Sequence, residues 1–255
     1  MVASSEMQVE ALDWQGRPLR CQDCPHEDIR AEGRCDLGVV CVADRRHKRI
    51  DNFFRRNNEL AARYLTHPYF EVRVLAAKHA SVFALPALLG DPEPDVRAMA
   101  ASRLPVARIA PLKADPDPAV RIAVAHRLEG AALVPFLSDE DYRVRMAAAQ
   151  RAPLDALTFS LRDPETEVRR EIARRVEEPS LSRMAADEDP MVRVIVAERL
   201  APARLHLLRD DPDMRVRFAV AERAGNADLE HLSKDPVPEI AELARLRLDA
   251  PQAEA

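Results

Sequence analysis

At 255 residues, with 47% hydrophobic and 32% charged side chains and a formal net charge of −5, the chain has the composition of a soluble protein. The negative balance excludes a global positive field toward nucleic acid or acidic membranes, and aromatics at only 4% argue against rows of base-stacking platforms. Twenty prolines against six glycines point to helices punctuated by proline and away from glycine-rich phosphate loops.

The first ten residues, M-V-A-S-S-E-M-Q-V-E, lack an apolar stretch of the signal-peptide kind, and no run of about 18 apolar residues occurs. The expectation is a cytoplasmic protein with no membrane contact. All four cysteines then fall in one window, Cys21-x2-Cys24-x10-Cys35-x5-Cys41. In a reducing compartment such a cluster points to metal before disulfides. The first pair comes from one tight turn, and Pro25 and Gly33 help the chain fold back. Two occupants fit. Zinc accepts four thiolates but usually from two short knuckles, and the second pair here is wider. A [4Fe–4S] cluster is a larger cube that tolerates uneven spacing. His26 and the nearby acids are expected on the surface.

A basic run follows, Arg45, Arg46, His47, Lys48 and Arg49, then Arg55 and Arg56. Arg45, Arg46, Lys48 and Arg49 are candidates for binding an acidic partner. The same stretch reads as a capping helix. Ile50, Phe53, Phe54, Leu60, Ala61, Tyr64 and Leu65 recur at helical spacing, and a repeat array needs its first apolar end covered.

From His67 onward the chain repeats. Val72-Arg73, Val96-Arg97, Val120-Arg121, Val144-Arg145, Val168-Arg169, Val192-Arg193 and Val216-Arg217 stand 24 residues apart, with Ile240-Ala241 as a degraded eighth copy. A fixed period of this length means a stacked-repeat solenoid. Units number from His67, Asp91, Asp115, Asp139, Asp163, Asp187, Asp211 and Asp235. Asp or Glu with Pro at the unit start predicts a helix from position 4 to position 14, capped by the carboxylate. Apolar positions 6, 10 and 14 share one face, and Ala at position 11 allows close helix approach. Position 19 is Leu or Ile in every complete unit, on a stretch short enough for a single turn or 3₁₀ helix. No strand is expected.

Arginine outnumbers lysine 34 to 4. Position 7 carries Arg73, Arg97, Arg121, Arg145, Arg169, Arg193 and Arg217, beside the apolar arc. These predict a structural ladder onto the carboxylates of positions 1 and 3, since only a planar guanidinium pairs bidentately. Position 13 carries Arg103, Arg127, Arg151, Arg175, Arg199, Arg223 and Arg247, for which a structural role and a phosphate-tracking groove are both open. The first unit departs with His67 and His79 at the Asp and Arg positions. The fifth carries Arg170 and Glu171 where apolar residues are usual.

The D-P-x-x-x-V-R-x-x-x-A-x-R-L units and the four-cysteine segment together resemble the leucine-rich repeat variant (LRV) family. The resemblance implies an all-α, right-handed superhelical solenoid of alternating α- and 3₁₀-helices. It also implies a small N-terminal domain holding [4Fe–4S] on Cys21, Cys24, Cys35 and Cys41. The expected layout is a cluster domain over 1–50, a cap over 51–66, eight repeats over 67–250 with the last truncated, and a tail over 251–255. With no catalytic constellation in the sequence, the expected role is a protein-interaction scaffold, with electron transfer and nucleic-acid binding as alternatives.

Overall fold

The computed structural model describes residues 11–249. The expectations for the first ten residues and for the tail 251–255 lie outside them. The chain divides into two compact units, one ending at Arg127 and one beginning at Leu128.

The first unit holds helices α1 (Glu27–Ala31), α2 (His47–Arg56), α3 (Phe70–His79), α4 (Pro94–Arg103), α5 (Val106–Ile109) and α6 (Pro118–Ala125). The second holds α7 (Tyr142–Ala149), α8 (Thr166–Arg175), α9 (Ser180–Arg183), α10 (Pro190–Arg199), α11 (Met214–Arg223), α12 (Asn226–Leu232) and α13 (Pro238–Asp249). Short 3₁₀ segments lie between the long helices, as at Pro86–Gly90, Ala156–Ser160 and Pro202–Leu207. No strand forms among the described residues. Two isolated bridges, Leu12 with Pro18 and Asp36 with Val40, close turns in the cysteine region.

Every long repeat helix begins at position 4, as the pattern predicts, and five of the eight end at position 13. The capping carboxylate is the acid directly before the helix. Position 3, in extended conformation, is the N-cap. Asp117, Asp141, Asp189 and Asp213 each accept the position-5 N–H at 2.8–2.9 Å. Position 1 instead accepts the position-3 N–H, as in Asp163 to Glu165 at 2.9 Å, which makes the turn before the helix. In the first unit His67 Nδ1 takes over this task from the missing Asp, accepting the Tyr69 N–H at 3.1 Å.

Burial follows the wheel. Position 6 is 0–1% exposed in all eight units, and the Ala at position 11 and the Leu or Ile at position 19 are buried throughout. The seventh unit has a seven-residue α-helix, α12, where the others have 3₁₀ turns, preceded in the second and fifth units by the single α-turns α5 and α9. No proline interrupts Ala224–Leu232, whereas Pro86, Pro111, Pro135 and Pro202 punctuate the matching stretches of four other units.

The position-7 arginines sit where the pattern puts them, with a more specific partner. Arg73, Arg97, Arg145, Arg169, Arg193 and Arg217 each donate from Nε and Nη2 to both oxygens of the Asp that opens the next repeat, at 2.6–3.2 Å. Nη1 reaches back to the position-1 carbonyl of its own repeat at 2.7–2.9 Å, in Arg121 as well. One planar group thus staples two repeats, which the single point charge of lysine could not do. The position-3 acids take no part in these pairs; the four that are Asp cap their helices instead.

The position-13 arginines form a second ladder that runs backward. Arg103, Arg175, Arg199, Arg223 and Arg247 donate to the carbonyls of positions 11 and 14 in the preceding repeat. Those carbonyls end the preceding helix, lack intrahelical partners, and carry the negative end of its dipole. Arg127 does the same for Leu104 at 3.3 Å. Six of the seven arginines of this row thus spend guanidinium N–H groups on backbone carbonyls of the preceding repeat. Replacing Arg223 with Ala, which removes bonds of 2.7 and 2.9 Å to Ala197 and Leu200, should destabilise the chain by about 1.5–3 kcal/mol. The check is a fall in urea midpoint at constant slope, with Arg223→Lys restoring part of it.

The fifth repeat accommodates its odd residues by pairing. Arg170 Nη2 meets Asp189 at 3.1 Å and Arg174 meets Glu171 at 3.4 Å, leaving Arg170 Nε buried without an acceptor.

Candidate metal centre

The four cysteines arrive on separate pieces of chain. Cys21 opens a 3₁₀ turn, Cys21–Asp23, which Cys24 closes through its N–H to the Cys21 carbonyl at 3.0 Å. Helix α1 then leads to Gly33, whose φ of +71° lets the chain reverse toward Cys35. A second reversal at Gly38, φ +79°, returns it to Cys41. All four cysteines line one pocket of about 350 Å³, counted to its open mouth. Cys35 and Cys41 are buried, and Cys21 and Cys24 are half-buried toward the mouth.

Helix α2, the predicted cap, holds the buried half of this pocket in place. The Cys41 N–H donates to the Arg49 carbonyl at 3.2 Å. From the other end of α2, Arg56 donates to the Gly33 carbonyl at 3.1 Å, and Asn57 Nδ2 donates to the Arg34 carbonyl at 3.1 Å. These bonds pin the strip just before Cys35. The cap is also not one helix: it breaks at Asn57 and continues as a 3₁₀ stretch, Asn58–Tyr64. A boundary at residue 50 would fall inside α2, and the cysteine region and its cap share one core of Ile50, Phe53 and Phe54, all fully buried.

Two sequence expectations need correction here. His26 is not a surface residue. It is 7% exposed, packs 5.3 Å from the Phe53 ring, and hydrogen-bonds the Tyr64 hydroxyl. Burial pushes its imidazolium pKa down. Arg49 is not an open partner-binding residue. Its side chain is 7% exposed and donates to the fully buried Asp44 at 2.6 Å. Only Arg45, Arg46 and Lys48 of that candidate set are exposed. The available signal was Asp44 itself, an acid at the head of a basic run and five residues before Arg49.

Asp51 joins α2 to the first repeat. It accepts from Lys78 at 2.9 Å and His79 at 2.8 Å on α3, and from Arg55 at 2.9 Å. His79, at the arginine position, thus serves the cap instead of a preceding repeat. Burial alone would raise the Asp51 carboxyl, but the bonds from His79 and Lys78 outweigh it and hold the pKa at about 2. A depressed carboxylate contributes stability that is present above its unfolded pKa and lost as pH falls through the folded one. Between about pH 4 and about pH 2 the chain should lose about 2 kcal/mol from this source. Thermal unfolding at pH 6, 4 and 2 should show a smaller acid loss in Asp51→Asn than in the wild type.

The donor set suits an inorganic cluster. Burial pushes the Cys24, Cys35 and Cys41 thiols up, Cys41 to about 11, even though the backbone N–H groups of His26 and Ala43 donate to Cys24 and Cys41. Such thiols stay protonated at neutral pH until a metal displaces the proton. Among the described residues no three His, Cys, Asp or Glu donors close around a single metal ion, although all four thiols face a common pocket. Four cysteines around one cavity can supply one thiolate to each corner of a polynuclear cluster.

A repeat array of α- and 3₁₀-helices with a thiolate pocket at its N-terminal end defines an iron–sulfur helical-repeat protein. Residues 11–63 match the family model described as "LRV protein FeS4 cluster". Among solved structures, "a leucine-rich repeat variant with a novel repetitive protein structural motif" is 39% identical and superposes with a TM-score of 0.84, over 90% of this chain and 98% of that one. The chain belongs to the leucine-rich repeat variant family, and its cofactor is an iron–sulfur cluster, not zinc. A curated relative from Rhodobacter capsulatus, an "uncharacterized 27.7 kDa protein in nifB 3'region", is 53% identical over 85 residues. That match spans 33% of this chain and 35% of the relative. No helix among the described residues is long and apolar enough to cross a membrane.

Proposed function

We propose that this iron–sulfur repeat protein is a non-catalytic interaction scaffold whose N-terminal centre responds to redox state, with Cys21, Cys24, Cys35 and Cys41 as the cluster ligands. The observation that carries the scaffold reading is the use made of the arginines. Both ladders are engaged in holding one repeat to the next, so the repeats present no row of cations for a nucleic-acid backbone. What they do present is isolated apolar side chains, Phe83 at 91% and Phe159 at 90% exposure. The redox response rests on α2. The same helix holds Cys41 and the strip before Cys35, and it packs on the first repeat through Asp51. Losing the cluster would loosen both attachments together.

The test is partner capture by cross-linking, with cluster-loaded and cluster-stripped protein side by side. Partner sets that differ support a redox-gated scaffold; identical sets retire the gate. A second reading, electron transfer to a docked protein, is favoured by the half-buried position of Cys21 and Cys24 at the pocket mouth and by exposed Arg45, Arg46 and Lys48 on the same module. Voltammetry decides it: a reversible one-electron couple supports a relay, and irreversible loss of the cluster on reduction removes it.

A further inference from the structure

We propose that the surface around Arg162 in the second unit binds an acidic segment of a partner protein that also carries a large apolar side chain. This rests on the scaffold reading and names the chemistry of its partner. Arg162 closes the fourth repeat and lines two neighbouring hollows of about 950 and 850 Å³, counted to their open mouths. The first is walled by Val134 and Phe159; Arg183 and Met184 help wall the second.

Two features set this surface apart. Arg162 and Arg183 are exposed, and neither forms a hydrogen bond or ion pair among the described residues, in a chain whose other arginines are largely paired. The acids lining the hollows pair with other arginines. Asp163 is held by Arg145, and Asp187 and Glu188 are held by Arg169. Gly90, Ala114, Ser138, Ala186 and Asp210 stand where Arg162 stands in the fourth repeat, and only the seventh repeat, with Lys234, has another cation there. Phe159, 90% exposed, shares the first hollow with Arg162 and with Val134, 37% exposed, while Arg183 lines the second hollow together with Arg162. A carboxylate can take a guanidinium fork while an aliphatic or aromatic side chain covers Phe159. A nucleic acid would need cations repeated along a track, and here there are two.

Panning the full-length, cluster-loaded protein against a randomised phage library of about twelve residues tests this. Enriched peptides should carry Asp or Glu beside Leu, Ile or Phe. A synthetic peptide from that pool should lose about tenfold in affinity in each of Phe159→Ala, Arg162→Ser and Arg183→Ser, and nothing in Phe83→Ala, a comparably exposed control in the first unit. All three target side chains are exposed, so circular dichroism should show the fold unchanged. A basic or uncharged consensus overturns the proposal, as does stronger binding of a single-stranded oligonucleotide at the same site. Acidic peptides that ignore the three substitutions remove this surface but leave the scaffold reading standing. Failure to enrich any peptide removes both.

Discussion

Replacing Cys35 or Cys41 with Ser is expected to abolish iron and acid-labile sulfide in the purified protein and to remove its visible charge-transfer absorption. Both residues are buried, 7% and 6% exposed. A serine hydroxyl keeps its proton far more firmly than a thiol and is a poor corner ligand. The loss should spread beyond the metal. α2 is tied to both cysteine strips by the Arg49 carbonyl, Arg56 and Asn57, so an empty pocket should also raise hydrogen exchange over Cys35–Arg56. His26→Phe is the control. His26 packs on Phe53 and bonds Tyr64, so this variant should keep its iron while losing some stability. If His26→Phe lost iron as fully as Cys35→Ser, the four-cysteine assignment would be wrong. The raised thiols also give the pH trend a sign. Binding iron must expel protons that burial has made hard to remove, so reconstitution should improve as pH rises and fail as it falls.

The four-cysteine window and the 24-residue ruler were legible in the sequence because both are written in residue identity. Seven Val-Arg pairs at constant interval admit one helical reading, and the helices do start at position 4. The position-7 ladder was legible for the same reason: its acceptor is a side chain, Asp, that recurs at the same period. The position-13 ladder was not, because its acceptors are backbone carbonyls, which any residue supplies and no letter marks. The metal pocket splits the same way. Four cysteines announce the site, yet the bonds that fix the two buried ones run to the carbonyls of Arg49, Gly33 and Arg34. Arg49 itself was misread because charge in a basic run suggests solvent, while Asp44 five residues earlier draws it inward. His26 was misread because its burial depends on Phe53 and on Tyr64, 38 residues away. Burial that long-range packing imposes leaves no local periodicity.

Replacing Asp163 with Ala should destabilise the chain by about 3–5 kcal/mol and change the form of its unfolding. The carboxylate is 3% exposed and takes both Nε and Nη2 of Arg145, at 2.7 and 2.9 Å, while also accepting the Glu165 N–H at 2.9 Å. Alanine leaves a nearly buried guanidinium without its counter-charge, and that unmatched charge is the main term. Asp163→Asn keeps the turn acceptor but offers one oxygen to a two-donor fork, so it should fall between wild type and alanine. The double variant Arg145→Met, Asp163→Leu separates two accounts of the ladder. If the pair acts chiefly through its own attraction, the double variant should be as unstable as the alanine. If the cost lies in orphaning one charge, it should recover most of the loss, because an apolar pair of similar volume avoids desolvation altogether. We expect recovery, with a consequence for cooperativity. In a stacked array each repeat is stabilised by its neighbours, so weakening the junction of the fourth and fifth repeats lets the two sides open at different denaturant concentrations. Asp163→Ala should therefore give a broadened or two-step urea transition where the wild type gives one. A single sharp transition displaced to lower urea would show that the staple adds stability without coupling one repeat to the next.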